Sequence, residues 1–259
     1  MPKIMQFTKF VPLKLTKLHV FFLLLISILI IALVLWIYQR SSNNLPSLAD
    51  VKTIDYSQAK NTPVNQQIEA TQSVVLSAGL SLGTVIVDSN PSSSITGNVS
   101  YLGAEPDIRS GMNNDIPYLA IESRSNKGEK YEIHLPANHT GSLQVGAQVG
   151  ELSFDLSQTR IASANIIAGD GAISVISPKF SSFIANLQAG SGKISLKIPQ
   201  DAGIKLVYTE QADPSKFKLD NDNYVQDENG FHSADFDSAG IQTVFKIGKS
   251  DGGFELARY

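Results

Sequence analysis

The distribution of apolar positions divides the chain into two regimes. Residues 20 to 38 read VFFLLLISILIIALVLWIY, a run in which Ser27 is the only polar residue without an aromatic ring. An α-helix rises about 1.5 Å per residue, so such a run matches a hydrocarbon core of roughly 30 Å. Trp36 and Tyr38 stand at its end, where amphipathic rings favour the headgroup layer. The pattern predicts a transmembrane helix over residues 19–39, spanning the lipid bilayer through Val20 to Tyr38, behind a tail of residues 1–18. A cleaved signal peptide has a shorter apolar stretch followed by a small-x-small site. Here the run ends Trp36-Ile37-Tyr38-Gln39-Arg40, so an uncleaved signal-anchor is expected.

Beyond residue 40 the pattern changes. Residues 40–66 are rich in Ser, Asn and Pro without a sustained period, which predicts a flexible linker, with a short edge strand near Val51–Tyr56 as the alternative. From residue 67 to 259 apolar and polar positions alternate, as in Val85-Ile86-Val87, Leu119-Ala120-Ile121 and Ile194-Ser195-Leu196. Breakers interrupt every dozen residues or so. Period two with frequent breaks predicts many short strands and an all-β extracytoplasmic domain.

That domain repeats itself. Residues 164–175 (ANIIAGDGAISV) recur 21 positions later as residues 185–196 (ANLQAGSGKISL), and Pro178 maps onto Pro199. Three further stretches carry the same signature with a turn that reads as two residues longer: LSAGLSLGTVIV at 76–87, LQVGAQVGELSF at 143–154 and FKIGKSDGGFEL at 245–256. Each unit reads strand, glycine turn, strand, and turns with positive φ favour glycine. Apolar residues two apart after each turn, such as Leu152 and Phe154, share one face. One unit cannot bury that face alone, so neighbours are expected to stack into a β-solenoid or roll.

This glycine-turn repeat over roughly residues 70–259 resembles the bacterial putative-adhesin, or toast-rack, β-repeat domain. The same domain is found at the C-terminus of cell-wall-active-antibiotic response proteins. Leu135-Pro136 and Ile198-Pro199, each followed by a glycine (Gly141, Gly203) and a new alternating strand, add to the likeness. The resemblance implies a stacked β fold outside the cytoplasmic membrane, with no catalytic residues to carry over.

Charge adds an orientation. Lys3, Lys9, Lys14, Lys17 and Arg40 are the only charged residues among the first 40. Positive residues ahead of the helix place the N-terminus in the cytoplasm and the C-terminal domain outside. Of 21 basic and 24 acidic residues, the remainder keeps 16 and 24, a balance of −8 that argues against nucleic acid as a partner. With no cysteines, disulfides and thiolate metal sites are excluded.

Several motifs resemble chemistry without completing it. Gly79-Leu80-Ser81-Leu82-Gly83 matches G-x-S-x-G, but a nucleophile elbow leads into a helix, and a strand follows here. Gly190-Ser191-Gly192-Lys193-Ile194-Ser195 lacks the upstream glycine and the Ser or Thr of a phosphate loop. Asp220, Asp222, Asp227 and Glu228 crowd one loop, yet Tyr224 and Val225 stand where a calcium loop needs glycine. His134 and His139 lack a third ligand. The sequons at Asn98 and Asn138 matter only in a glycosylating host. Scattered aromatics such as Tyr118, Phe180 and Tyr208 suit a core or a sugar-stacking face. No catalytic, cofactor or metal residue is therefore assigned, and the chain is expected not to be an enzyme. The expected role is an adhesin-like interaction module for a surface polymer or envelope protein, with self-association through β edges in view. A regulatory partner in envelope-stress or cell-wall-antibiotic response is the alternative, and an envelope-acting hydrolase a remote one.

Overall fold

The computed structural model describes residues 47–68, 73–209, 211–220 and 224–259. Every described residue belongs to one compact unit, Pro46–Tyr259. The expected tail 1–18, membrane helix 19–39 and first part of the linker lie outside the described residues. Among the described residues no helix is long and apolar enough to cross a membrane.

This unit is all-β. Its strands begin with β1 (Lys60–Gln67), β2 (Val74–Asn90), β3 (Ser94–Tyr101), β4 (Asp107–Asn113), β5 (Ile116–Glu122) and β6 (Glu129–Pro136). They continue with β7 (Thr140–Asp155), β8 (Arg160–Asp170), β9 (Ile173–Ile176), β10 (Phe183–Gln188), β11 (Ile194–Ile198) and β12 (Gly203–Tyr208). The last are β13 (Phe217–Lys218), β14 (Tyr224–Asp227), β15 (Gly230–Ser233), β16 (Gln242–Ile247) and β17 (Phe254–Arg258). Pairing arranges them in two arms. In the first arm β5, the N-terminal half of β2, the N-terminal half of β7, β8, β10, β16 and β12 lie side by side and parallel. In the second arm β6, the C-terminal halves of β2 and β7, β9, β11, β17 and β13 do the same.

The repeat read from the sequence is the register of this stack. Ala164 pairs with Ala185 and Ile173 with Ile194, so the 21-residue period is one coil. The three outlying copies stack on the same columns: Leu76 on Leu143, Leu143 on Ala164, and Ala185 on Phe245. In the other arm Val85, Leu152, Ile173, Ile194 and Phe254 form one column. Those columns are buried, and both arms contribute to a single hydrophobic core. The turns expected to be two residues longer are not. Leu143 to Leu152 spans the same length as Ala164 to Ile173, and only the first glycine has moved. β2 and β7 run unbroken through the bend, as strands of 17 and 16 residues rather than the short pairs expected.

Glycine is needed at the bend mainly because coils approach closely there. A β-carbon on Gly171 would lie 1.7 Å from the carbonyl oxygen of Gly150, and one on Gly192 would lie 1.8 Å from that of Gly171. Gly83 opens the column with the same 1.8 Å conflict against the Glu129 carbonyl.

The linker expected over 40–66 is folded from Ser47 onward. α1 (Leu48–Thr53) and a single 3₁₀ turn (Tyr56–Gln58) precede β1, which pairs antiparallel with β3 along its whole length. The edge strand entertained near Val51–Tyr56 is thus helical. Its apolar residues were too few to show a helical period, but Leu48, Val51 and Ile54 pack on Leu82 and Val149 at the bend. The Leu48 amide donates to Asp170 Oδ2 at 3.3 Å, and the Tyr56 hydroxyl to the Glu129 carbonyl at 2.9 Å. The segment straps the corner of the stack. Antiparallel strands finish the arms: β4 on β5 and β14–β15 on β12 in the first, β3 and β1 on β6 in the second.

Candidate ligand-binding face

Alternation sends every second residue of each arm outward, and the two outer faces differ in charge. The second arm presents Asp88 hydrogen-bonded with His134, and Lys130 with Glu132 and Lys193 with Glu255 as ion pairs. The first arm presents amides, hydroxyls and glycines. Across β2, β7, β8 and β10 its outward positions from Val75, Ser142, Ser163 and Ile184 up to the bend carry no charged side chain. Charged groups mark only the borders of this field. Arg109 and Glu122 pair at 2.8 Å at one end, and Lys246 and Lys205 stand at the other.

Within the field two rows run across the strands. One is Ser77, Gln144, Asn165 and Asn186, in register and ending at Lys246. The other is Gly79, Gly146, Ile167 and Gln188, ending at Gly248. Two shallow depressions of about 560 and 280 Å³ lie along the second row and share Ile167. Gly79 and Gly146, which line the larger depression, are unlike the glycines of the bend. A β-carbon on Gly79 would meet nothing within 4 Å, and one on Gly146 only the Ile167 carbonyl at 3.9 Å. Packing does not require glycine there. Its effect is to lower the floor and expose the strand backbone. Among the described residues, no partner engages the side chains of Gln144, Asn165, Asn186 or Gln188.

Below the end of this trough lies a buried acid. Glu129 has no exposed surface; its Oε2 is 2.6 Å from the Tyr131 hydroxyl, and its Oε1 has no hydrogen-bond partner. Burial raises its pKa above the ordinary carboxylate value, against the opposing pull of the Tyr131 hydrogen bond. The Tyr131 hydroxyl is also 3.3 Å from the Gly79 carbonyl oxygen. Its one proton thus has two acceptors, the Glu129 carboxylate at 2.6 Å and the more distant Gly79 carbonyl.

A putative cell adhesion protein from Clostridium sporogenes superposes on this architecture with a TM-score of 0.67, over 78% of this chain and 100% of that chain, at 16% identity. The two share one fold. The toast-rack resemblance read from the glycine repeat holds at that level. A putative adhesin from Bacteroides fragilis also aligns, at 11% identity over 76% of this chain and 97% of that one, with a TM-score of 0.20. No family model and no curated protein matches the sequence.

On this fold the sequence motifs find structural places. Ser81 sits mid-strand in β2 with strand on both sides, so it is no elbow. Ser191 donates to Asp170 across coils, which makes the Gly190–Ser195 stretch a bend of the stack. Asp220 pairs with Arg258 at 3.3 Å and accepts from the Tyr224 hydroxyl at 2.7 Å, and Asp227 is 3.7 Å from His232. Asp222 lies outside the described residues. Among the described residues no cluster of three His, Asp or Glu could hold a metal. His134 bonds Asp88 on the neighbouring strand, and His139 Nδ1 is 3.3 Å from the Ala137 carbonyl. Phe183 and Phe245 meet edge-on inside the core at 6.0 Å, while Tyr208, Phe217, Phe231 and Phe254 cluster toward the C-terminal end of the stack. Of the aromatics considered for sugar stacking, Tyr118 points outward on β5 and Phe180 is exposed just before β10.

Sequence reasoning missed the uncharged face, Glu129 and the strap. The face was recoverable: once the repeats are aligned, the positions between the buried ones read Ser, Gln, Asn, Asn in the first arm, whereas the outward positions of the second arm include Asp88, Glu151, Lys193, Lys197 and Glu255 among serines.

Proposed function

We propose that the chain is a membrane-anchored, non-enzymatic interaction module that acts outside the cytoplasmic membrane through the uncharged outer face of its first arm. The observation that carries this reading is the segregation of charge between the two faces. An acidic domain that kept its surface only for solubility would spread charge over both. Here one broad sheet face carries unengaged amides, glycines that packing does not need, and exposed Ile167 and Ile184 (40% and 51% exposed). That the Clostridium sporogenes protein of the same fold is a putative cell adhesion protein agrees with such a role. The apolar run at 20–38 supplies the anchor, and the lysines before it the orientation.

The test compares two single lysines. Gly146→Lys puts a charge and a long side chain in the trough, whereas Ser174→Lys puts the same group on the exposed, already charged second face. Full-length protein carrying either change is assayed for binding to isolated envelope fragments. The reading predicts that Gly146→Lys loses binding while Ser174→Lys retains it. Equal retention by both would overturn it.

A further inference from the structure

The chemistry of the trough narrows the class of ligand, on the premise that the first-arm face is the binding surface. We infer that the trough takes an uncharged, hydroxyl-rich polymer, a neutral polysaccharide chain lying across the strands.

Three features select that occupant. The first is neutrality. A charged polymer entering the field would lose water without meeting a counter-charge, and desolvating an uncompensated ion is costly. At the borders it would meet the Arg109–Glu122 pair at one end and Lys246 with Lys205 at the other, and among the described residues no charged side chain stands between them on the outward positions of β2, β7, β8 and β10 in this arm. The second is repetition. Neighbouring strands are about 4.8 Å apart, so Gln144, Asn165 and Asn186 present an amide donor and acceptor at each step along a line perpendicular to the strands. A polymer whose hydroxyls recur once per ring meets the same group repeatedly. A folded protein surface would present no such periodicity. The third is the mixture of polar and apolar groups. Ile167 stands exposed among amides and glycines, which matches a sugar ring with C–H groups on its faces and hydroxyls at its rim. A second copy of the chain laid face to face would instead bury these amides against one another, at a cost wherever their geometry failed to match.

The experiment is affinity electrophoresis of the full-length protein in native gels, with a polyoxyethylene detergent so that no sugar headgroup competes. The gels contain mixed-linkage β-glucan, galactomannan or, as the charged comparison, polygalacturonate. Retardation by at least one neutral polymer and not by polygalacturonate is expected. Asn165→Ala/Asn186→Ala is expected to weaken it about tenfold through two lost hydrogen bonds, while Ser153→Ala/Ser174→Ala on the other face leaves it unchanged. Circular dichroism melting of each variant establishes that it is folded. Absence of retardation by both neutral polymers, stronger retardation by polygalacturonate, or insensitivity to the double asparagine change would overturn the inference. Failure here combined with loss of envelope binding in Gly146→Lys would leave the face as the interaction surface for a protein or a second copy. Retained envelope binding in Gly146→Lys would remove the surface itself.

Discussion

A β-carbon on Gly171 would fall 1.7 Å from the carbonyl oxygen of Gly150, whereas one on Gly146 would find its nearest neighbour, the Ile167 carbonyl, at 3.9 Å. Two glycines that look alike in the repeat therefore have opposite reasons to be there. Gly171 also holds φ at +151°, a region L side chains rarely adopt. Gly171→Ala is expected to cost about 3 kcal/mol from overpacking and backbone strain. Gly146→Ala is expected to be neutral or to stabilise by about 0.5 kcal/mol by restricting the unfolded chain. Denaturant melts of the two variants would check both; similar losses in both would contradict the distinction.

The small residues of one column are balanced by rings. Ala164 and Ala185 stack in register with Phe245, which meets Phe183 at 6.0 Å in an edge-on contact. Phe245→Ala removes a fully buried ring from a site whose neighbours cannot refill it, so a loss of about 3–5 kcal/mol is expected. Phe245→Leu should recover more than half of that loss in the same melt.

Glu129 makes stability depend on pH. Its folded pKa is raised above the ordinary value of 4.5, so the folded state holds its proton more tightly than the unfolded chain does. The resulting stabilisation is full below pH 4.5 and is lost as pH rises through the elevated folded value. Glu129→Gln keeps a donor for Tyr131 and has no charge to bury. Its melting temperature should change less than wild type between about pH 5 and pH 8, and should be at least as high at the upper end. Parallel pH profiles for the two proteins would contradict a raised Glu129 pKa in the folded state.

The strap predicts where a protease can enter. Asp170 accepts from the Leu48 amide and from Ser191, tying the N-terminal segment to the bend between coils. Protease added outside spheroplasts is expected to release a fragment beginning near Ser47, with residues 48–58 protected. Asp170→Ala, at a cost of about 1–2 kcal/mol, should expose that segment. Cleavage within 48–58 in wild type would show the strap undocked.

The sequence disclosed the fold through two signals of different strength. The 21-residue copies, Ala164 to Val175 and Ala185 to Leu196, are adjacent coils, and identical side chains stacked on one another are why the likeness is visible. The copy at 245–256 lies 60 residues on, because the chain first builds β12 to β15 as an end layer and then returns to the stack. The strap was hidden for a physical reason. Six residues of helix with one fully buried side chain, Val51, carry no measurable period, and their stability comes from docking onto Leu82 and Val149. The proposed binding face was hidden because its mark is a lack of charge at alternate positions. That becomes legible only when Gln144, Asn165 and Asn186 are known to be neighbours.

The most direct measurement places a photo-cross-linking residue at Gln144, on the uncharged face, or at Ser153, on the charged one, in full-length protein in native membranes. Capture of envelope polymer or of a surface partner from position 144 and not from 153 is the predicted result. Equal capture from both, or capture from 153 alone, would contradict the assignment of the first-arm face as the surface through which this protein acts.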